Sequence, residues 1–255
     1  MKSPIIVIPG IQGHWQWMTP AIDALAQDRT VRAFSLNVCK DATDPFEAWA
    51  AEIDRQIAAT GHKAASLVGV SFGGLVAMYY AATRPHRVTA LVLVSAPSPR
   101  QTLTHDESQL LAHPISLLPL FAIRGLRRLL PEVFAALPTW RARVTFLTTY
   151  GWRVLRWPLA PAQTARWVRN WQGRDLASLC TKVTAPTHVM TGEPTLDRVV
   201  PVTSTLDYVT LIPGATTSRL ERTGHIGLVS RPERFAALVG RFLDDLGDTR
   251  TRRTA

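Results

Sequence analysis

The sequence predicts an α/β protein with a mostly parallel central sheet, interrupted by a helical insertion, and three observations carry that expectation. Short apolar runs at 5–8, 66–70 and 88–94 are separated by stretches of helical periodicity, the alternation that a parallel sheet covered by helices requires. The alternation stops at Ser95 and resumes at Thr187. Between residues 97 and 182 eight prolines divide a tract rich in Leu, Arg and Trp into helical pieces.

In chain order, Ile5 to Ile8 form the first strand, ended by Pro9-Gly10. A helix over 20–27 and a strand over 31–36 follow. Residues 46–60 place Phe46, Trp49, Ile53 and Ile57 on one helical face. Ser66 to Val70 run straight into Ser71 and a helix over 73–83, which Arg84-Pro85 stops. Residues 88–94 are almost wholly apolar, as a strand covered on both faces should be. After the insertion come strands over 187–191 and 208–212 and a last helix over 232–246, with Phe235, Leu238, Val239 and Phe242 on one face. The expected organisation is a core of 1–96 with 183–247, a helical cap over 97–182, and a frayed basic tail over 248–255.

Composition narrows the class. A chain of 255 residues, 46% hydrophobic, can bury a full core in one domain. Cys39 and Cys180 have no metal-ligand spacing and read as small core residues. The apolar run near the N-terminus is too short for a signal peptide or membrane span, so a cytoplasmic location is expected. The net charge of +10 is uneven: residues 97–181 hold eleven arginines against four acids. A basic insertion on a nearly neutral core argues against a nucleic-acid binder. It leaves open a peripheral contact of the insertion with an anionic surface. "IRGLRRLLPEVF", with Ile123, Leu126, Leu129 and Leu130 beside three arginines, suits that contact as well as ordinary packing.

The chemistry centres on "LVGVSFGGL". A serine between strand and helix stands free only where the flanking backbone passes close, and Gly69 and Gly73 remove the Cβ atoms that would collide. Ser71 is the candidate nucleophile. It needs a base, and there are seven histidines to choose from. His62 and His86 follow helix ends, His105 and His113 lie in the insertion, and His188 begins a strand. His225 alone lies between glycines, in "ERTGHIGLVSRP", after the last strand and before the last helix. Loops at carboxyl ends of parallel strands are where such sheets place their sites. Asp197 in "TGEPTLDRVVP" is the candidate acid, and Glu193, nearer the strand end, is the alternative. Backbone N–H groups of Ile11 and Phe72 are the candidate oxyanion hole. Gln12, His14, Trp140 and Trp152 are candidate substrate contacts.

Ser71, Asp197 and His225, in that order on an alternating chain, resemble the alpha/beta-hydrolase superfamily, in particular its lidded carboxylesterases and carbon–carbon bond hydrolases. In the terms of that resemblance, 68–74 is the nucleophile elbow, Asp197 with 198–201 the acid loop, and Gly224-His225 the histidine loop. The chain departs from the pattern at Pro9-Gly10, where most members have His-Gly, and in the longer spacing from Gly192 to the acid. Relatives that dehalogenate or open epoxides carry aspartate at the elbow, so a serine there implies acyl transfer to water, with no metal or organic cofactor. The resemblance implies a hydrolase for a small or medium hydrophobic carbonyl-containing substrate, with a carboxylic ester first. A thioester or a diketone would present the same carbonyl to Ser71. A receptor-like protein that keeps the fold and turns over little is the reading from another class.

Overall fold

The computed structural model describes residues 2–39, 42–104, 108, 112 and 118–254. At its centre lie six strands: β1 (Ile5–Ile8), β2 (Val31–Ala33), β3 (Ala65–Val70), β4 (Val88–Val94), β5 (Thr187–Thr191) and β6 (Thr216–Arg219). Their order is β2-β1-β3-β4-β5-β6, and every pairing is parallel. Successive side chains of a strand point to opposite faces, so Ile6 and Ile8 enter one core while Ile5 and Val7 enter the other. With both faces covered there is no solvent side for polar residues, and β1 and β3 are buried throughout.

One face is covered by α2 (Pro45–Ala58), α3 (Phe72–Thr83), α7 (Leu176–Cys180) and α8 (Val202–Leu211), which contribute Trp49, Leu75, Leu176 and Tyr208 to its core. The other face is covered by α1 (Thr19–Ala26), α9 (Gly227–Ser230) and α10 (Pro232–Thr254), through Leu25, Leu228, Phe235 and Val239. α2 starts where it does because the Asp44 carboxylate accepts the N–H groups of Phe46 and Glu47, with Pro45 in the first turn. Between β4 and β5 come α4 (Leu118–Ala136), α5 (Trp140–Arg156), α6 (Pro161–Gln172) and α7. Thr139 caps α5 by accepting the Ala142 N–H. The indole N–H of Trp17 donates to the Trp157 carbonyl at 3.0 Å, tying this region to the loop after β1. Cys39 and Cys180 are both buried and free. No helix among the described residues is long and apolar enough to cross a membrane.

The structure corrects three expectations. Residues 208–212 are not a strand: Val202, Thr205, Tyr208 and Leu211 are buried at helical spacing in α8, and Tyr208 donates its hydroxyl to the Pro97 carbonyl at 3.0 Å. The last strand is β6, TTSR, an edge strand mostly exposed and without an apolar pattern to reveal it. The second strand ends at Ala33, and Leu36 begins a single 3₁₀ turn through Cys39. The last helix, expected to end at Leu246, continues as α10 to Thr254. His105 and His113 lie outside the described residues.

The sheet order reverses at β1, which lies between β2 and β3, so connections leave its two sides and open a crevice at the strands' carboxyl ends. The register Ile8↔Gly69 sets the loop after β1 beside Ser71.

Candidate active site

Ser71 occupies the junction of β3 and α3 with φ 52° and ψ −125°, a conformation L-residues avoid and one that costs on the order of 1–3 kcal/mol. Its N–H donates to the Val94 carbonyl and its own carbonyl accepts from Gly74, each at 2.8 Å. The turn is crowded as the glycine spacing predicts. A Cβ on Gly69 would lie 2.5 Å from the Gly73 carbonyl oxygen, and one on Gly73 would strike the carbonyl oxygens of Ile8 and Pro9.

His225 comes from the loop between β6 and α9, and its Nε2 lies 3.1 Å from the Ser71 hydroxyl. Asp197 comes from the loop after β5, and its Oδ1 lies 3.4 Å from His225 Nδ1, longer than a formed N–H···O bond. The same oxygen accepts the N–H groups of Val199 at 3.2 Å and Val200 at 3.0 Å, which orients the carboxylate toward the imidazole. Burial alone would raise the Asp197 carboxyl, but the imidazole, the Val200 N–H and the neighbouring Ser95 outweigh it and hold it below the usual carboxylate range. Glu193 is engaged elsewhere, accepting the Arg222 N–H at 2.6 Å. Its own N–H donates to the Thr223 carbonyl at 2.7 Å and its carbonyl accepts from Asp197, so its backbone ties the acid loop to the histidine loop.

The loop after β1 closes on itself through Gly13 N–H to the Gly10 carbonyl at 2.9 Å. A Cβ on Gly10 would stand 3.2 Å from Ser71 Cβ and 2.6 Å from Gln12 Oε1, so Gly10 lies against the serine on one hand and the Gln12 carboxamide on the other. Ile11 follows Gly10 here, and Phe72 opens α3, at the positive end of its dipole. His14 sits at the same mouth but pairs its Nε2 with Asn37 at 3.0 Å. Burial lowers its pKa, opposed by a contact with the Pro158 backbone.

Trp140 and Trp152 do not converge on the site: they stand 70% and 66% exposed on α5. Trp171 of α6, buried, reaches the elbow edge-on to Phe72 at 6.2 Å, and Trp167 of the same helix, fully buried, is stacked on Phe72 at 6.5 Å and edge-on to Trp49. The Trp167 ring also closes over Gly13, where a Cβ would meet it at 2.9 Å. The open clefts lined by Val38, Cys39 and Arg55, and by Thr43, Pro45 and Asn170, do not include Ser71 or His225.

One charged group near the site was not singled out from the sequence. Glu132 of α4 is fully buried, and both its carboxylate oxygens accept the Ile226 N–H, at 3.1 and 3.0 Å. Burial pushes its carboxyl up to about 7, against the N–H groups of Ile226 and Gly224 and the attraction of His225. The sequence did hold a signal: Glu132 is the one acid among nine arginines between residues 118 and 172.

The family model described as alpha/beta hydrolase fold matches residues 3–232. Among solved structures, a bacterial membrane phospholipase A described as a virulence factor superposes with a TM-score of 0.73 at 24% identity, over 96% of this chain and 79% of that one. MenH from S. aureus gives 0.71 at 20%, over 96% and 94%, and an esterase from Exiguobacterium antarcticum gives 0.72 at 19%, over 96% and 92%. At these identities the likeness is one of fold. No curated protein sequence matches the chain.

Proposed function

The chain belongs to the alpha/beta hydrolase fold family, and from that premise we propose that it is a serine hydrolase cleaving a carboxylic ester of a small or medium hydrophobic substrate. The observation that carries this reading is the 3.1 Å approach of His225 Nε2 to a Ser71 hydroxyl held on a strained turn. His225 takes the Ser71 proton as the hydroxyl oxygen attacks the ester carbonyl carbon. The resulting oxyanion is held by the N–H groups of Ile11 and Phe72. His225, its charge balanced by Asp197, then passes the proton to the departing alkoxide, leaving an acyl group on Ser71. Water, deprotonated by His225, releases the carboxylic acid and restores the serine. The helices between β4 and β5 serve as the cap, with Trp167 as part of the apolar wall beside the elbow.

The test is release of p-nitrophenol from short and medium acyl esters by the native protein, Ser71→Ala and His225→Ala. The expected result is a burst and steady turnover by the native protein, with both variants reduced about 10³-fold or more. Absence of turnover on every ester overturns the ester reading, and thioesters and diketones then separate the remaining carbonyl chemistries from ligand retention without turnover.

A further inference from the structure

The basic insertion leaves an apolar face outward on α5. Each residue of an α-helix turns about 100°, so Trp140, Val144, Leu147, Gly151 and Leu155 fall on one stripe about 22 Å long. Phe146 and Tyr150 lie on the opposite side, stacked on each other at 5.4 Å and packed toward the core, with Tyr150 also edge-on to Trp17. α5 is therefore seated by one face and presents an apolar face outward. Leu155 is 76% exposed, Val144 and Leu147 are also exposed, and Trp152 flanks the stripe. By contrast, Leu129 and Leu130 of α4 are half-buried, and the side chains of Ile123 and Leu126 lie outside the described residues.

The charge around this stripe has one sign. α5 carries Arg141, Arg143, Arg153 and Arg156 and no acid. Across residues 118–172 the one carboxylate is Glu132, which is fully buried, so none of this segment's acids offsets its arginines at the surface.

We infer that the outward face of α5 is a docking surface for an anionic phospholipid bilayer, with Trp140, Val144, Leu147 and Leu155 entering the headgroup boundary and the exposed Arg141 and Arg156 meeting lipid phosphates, while Arg143 is held by the Leu137 and Phe134 carbonyls. An apolar face rimmed by arginine, with tryptophan at its edge, is what the interfacial region of a bilayer accepts. A nucleic acid would meet aliphatic side chains at the centre of the contact, where its phosphates need charge or hydrogen bonds. A second copy docked two-fold through the same face would bring arginines against arginines with no carboxylate of the segment between them. The inference does not depend on the chemistry at Ser71.

The experiment is co-sedimentation of the full chain with unilamellar vesicles of phosphatidylcholine alone or mixed equally with phosphatidylglycerol, from about 50 to about 500 mM sodium chloride. Val144→Ser/Leu155→Ser tests the stripe and Arg141→Gln/Arg156→Gln tests the rim, each first checked for an unchanged unfolding midpoint. Both pairs sit on the exposed side of α5, so either one suffices if the other fails to fold. The expected result is binding to the phosphatidylglycerol vesicles at least about tenfold tighter than to phosphatidylcholine, falling steeply with salt. Each double variant should weaken it about tenfold or more. Any of four results overturns the proposal: no binding at low salt, binding that neither double variant weakens, a lipid-free dimer that Val144→Ser/Leu155→Ser dissociates, or equally tight binding to duplex DNA.

Discussion

The backbone N–H of Ile226 points between the two carboxylate oxygens of Glu132, joining the residue after His225 to a helix 94 positions earlier in the chain. One turn of α4 thus holds the histidine loop through a carboxylate that is fully buried.

That burial makes Glu132 a source of pH-dependent stability. Its carboxyl is pushed up to about 7 in the folded protein, above the value of about 4.3 for an unfolded glutamate. Folding therefore takes up a proton between those values, and the stability linked to this group is greatest at low pH and falls as pH rises toward 7. Urea unfolding at pH about 5 and about 8 should show the native protein losing on the order of 2–3 kcal/mol relative to Glu132→Gln, which does not titrate. Parallel pH dependences in the two proteins would show that the carboxylate stays ionised throughout.

Asp197 and Glu193 stand four residues apart but face different partners, His225 for the first and the Arg222 N–H for the second. Asp197→Asn should lower kcat/KM on p-nitrophenyl esters by about 10³-fold or more, and Glu193→Gln by only a few-fold. Equal losses would mean that the acid role is shared.

The strain at Ser71 predicts an opposition between stability and activity. Glycine adopts a φ of 52° without the Cβ penalty, so Ser71→Gly should unfold at higher urea than Ser71→Ala, by about 1 kcal/mol after glycine's own entropic cost. Both variants should be inactive. If Ser71→Ala proves as stable as Ser71→Gly, the turn stores no strain.

Trp167 and the exposed tryptophans of α5 should separate in their effect on the monomer. Trp167→Ala removes a fully buried ring from the Phe72 and Trp49 cluster and should cost about 3–5 kcal/mol. Trp140→Ala and Trp152→Ala should each stay within about 0.5 kcal/mol of the native protein in urea unfolding. A large loss at either exposed position would place it in a contact that the monomer's exposure does not show.

Most of the sheet was legible because its inner strands are covered on both faces and so must be apolar along their length. β1, β4 and β5 begin and end at the expected residues. β6 was missed for the converse reason: an edge strand pairs on one side only, and TTSR carries no alternation. The β-branched residues around Tyr208 suggested a strand, but burial at every third residue from Val202 to Leu211 places them in a helix against the sheet. At the site, Ser71 and His225 were readable because glycines flank them at close backbone approaches. Trp167 has no such local mark among the tryptophans of the insertion, and Glu132 is marked only as the one acid among nine arginines.

The sequence by itself determined the strand–turn–helix over 65–83 and the position of its serine, because steric exclusion around that turn is local and only glycine relieves it. The tertiary structure alone decided which carboxylate faces His225, which tryptophan packs over the elbow, and which face of the basic insertion is left outside. The first depends on how the loops after β5 and β6 meet and the other two on how α5 and α6 pack back over the sheet, and packing between segments tens of residues apart leaves no period in the sequence for a reader to find.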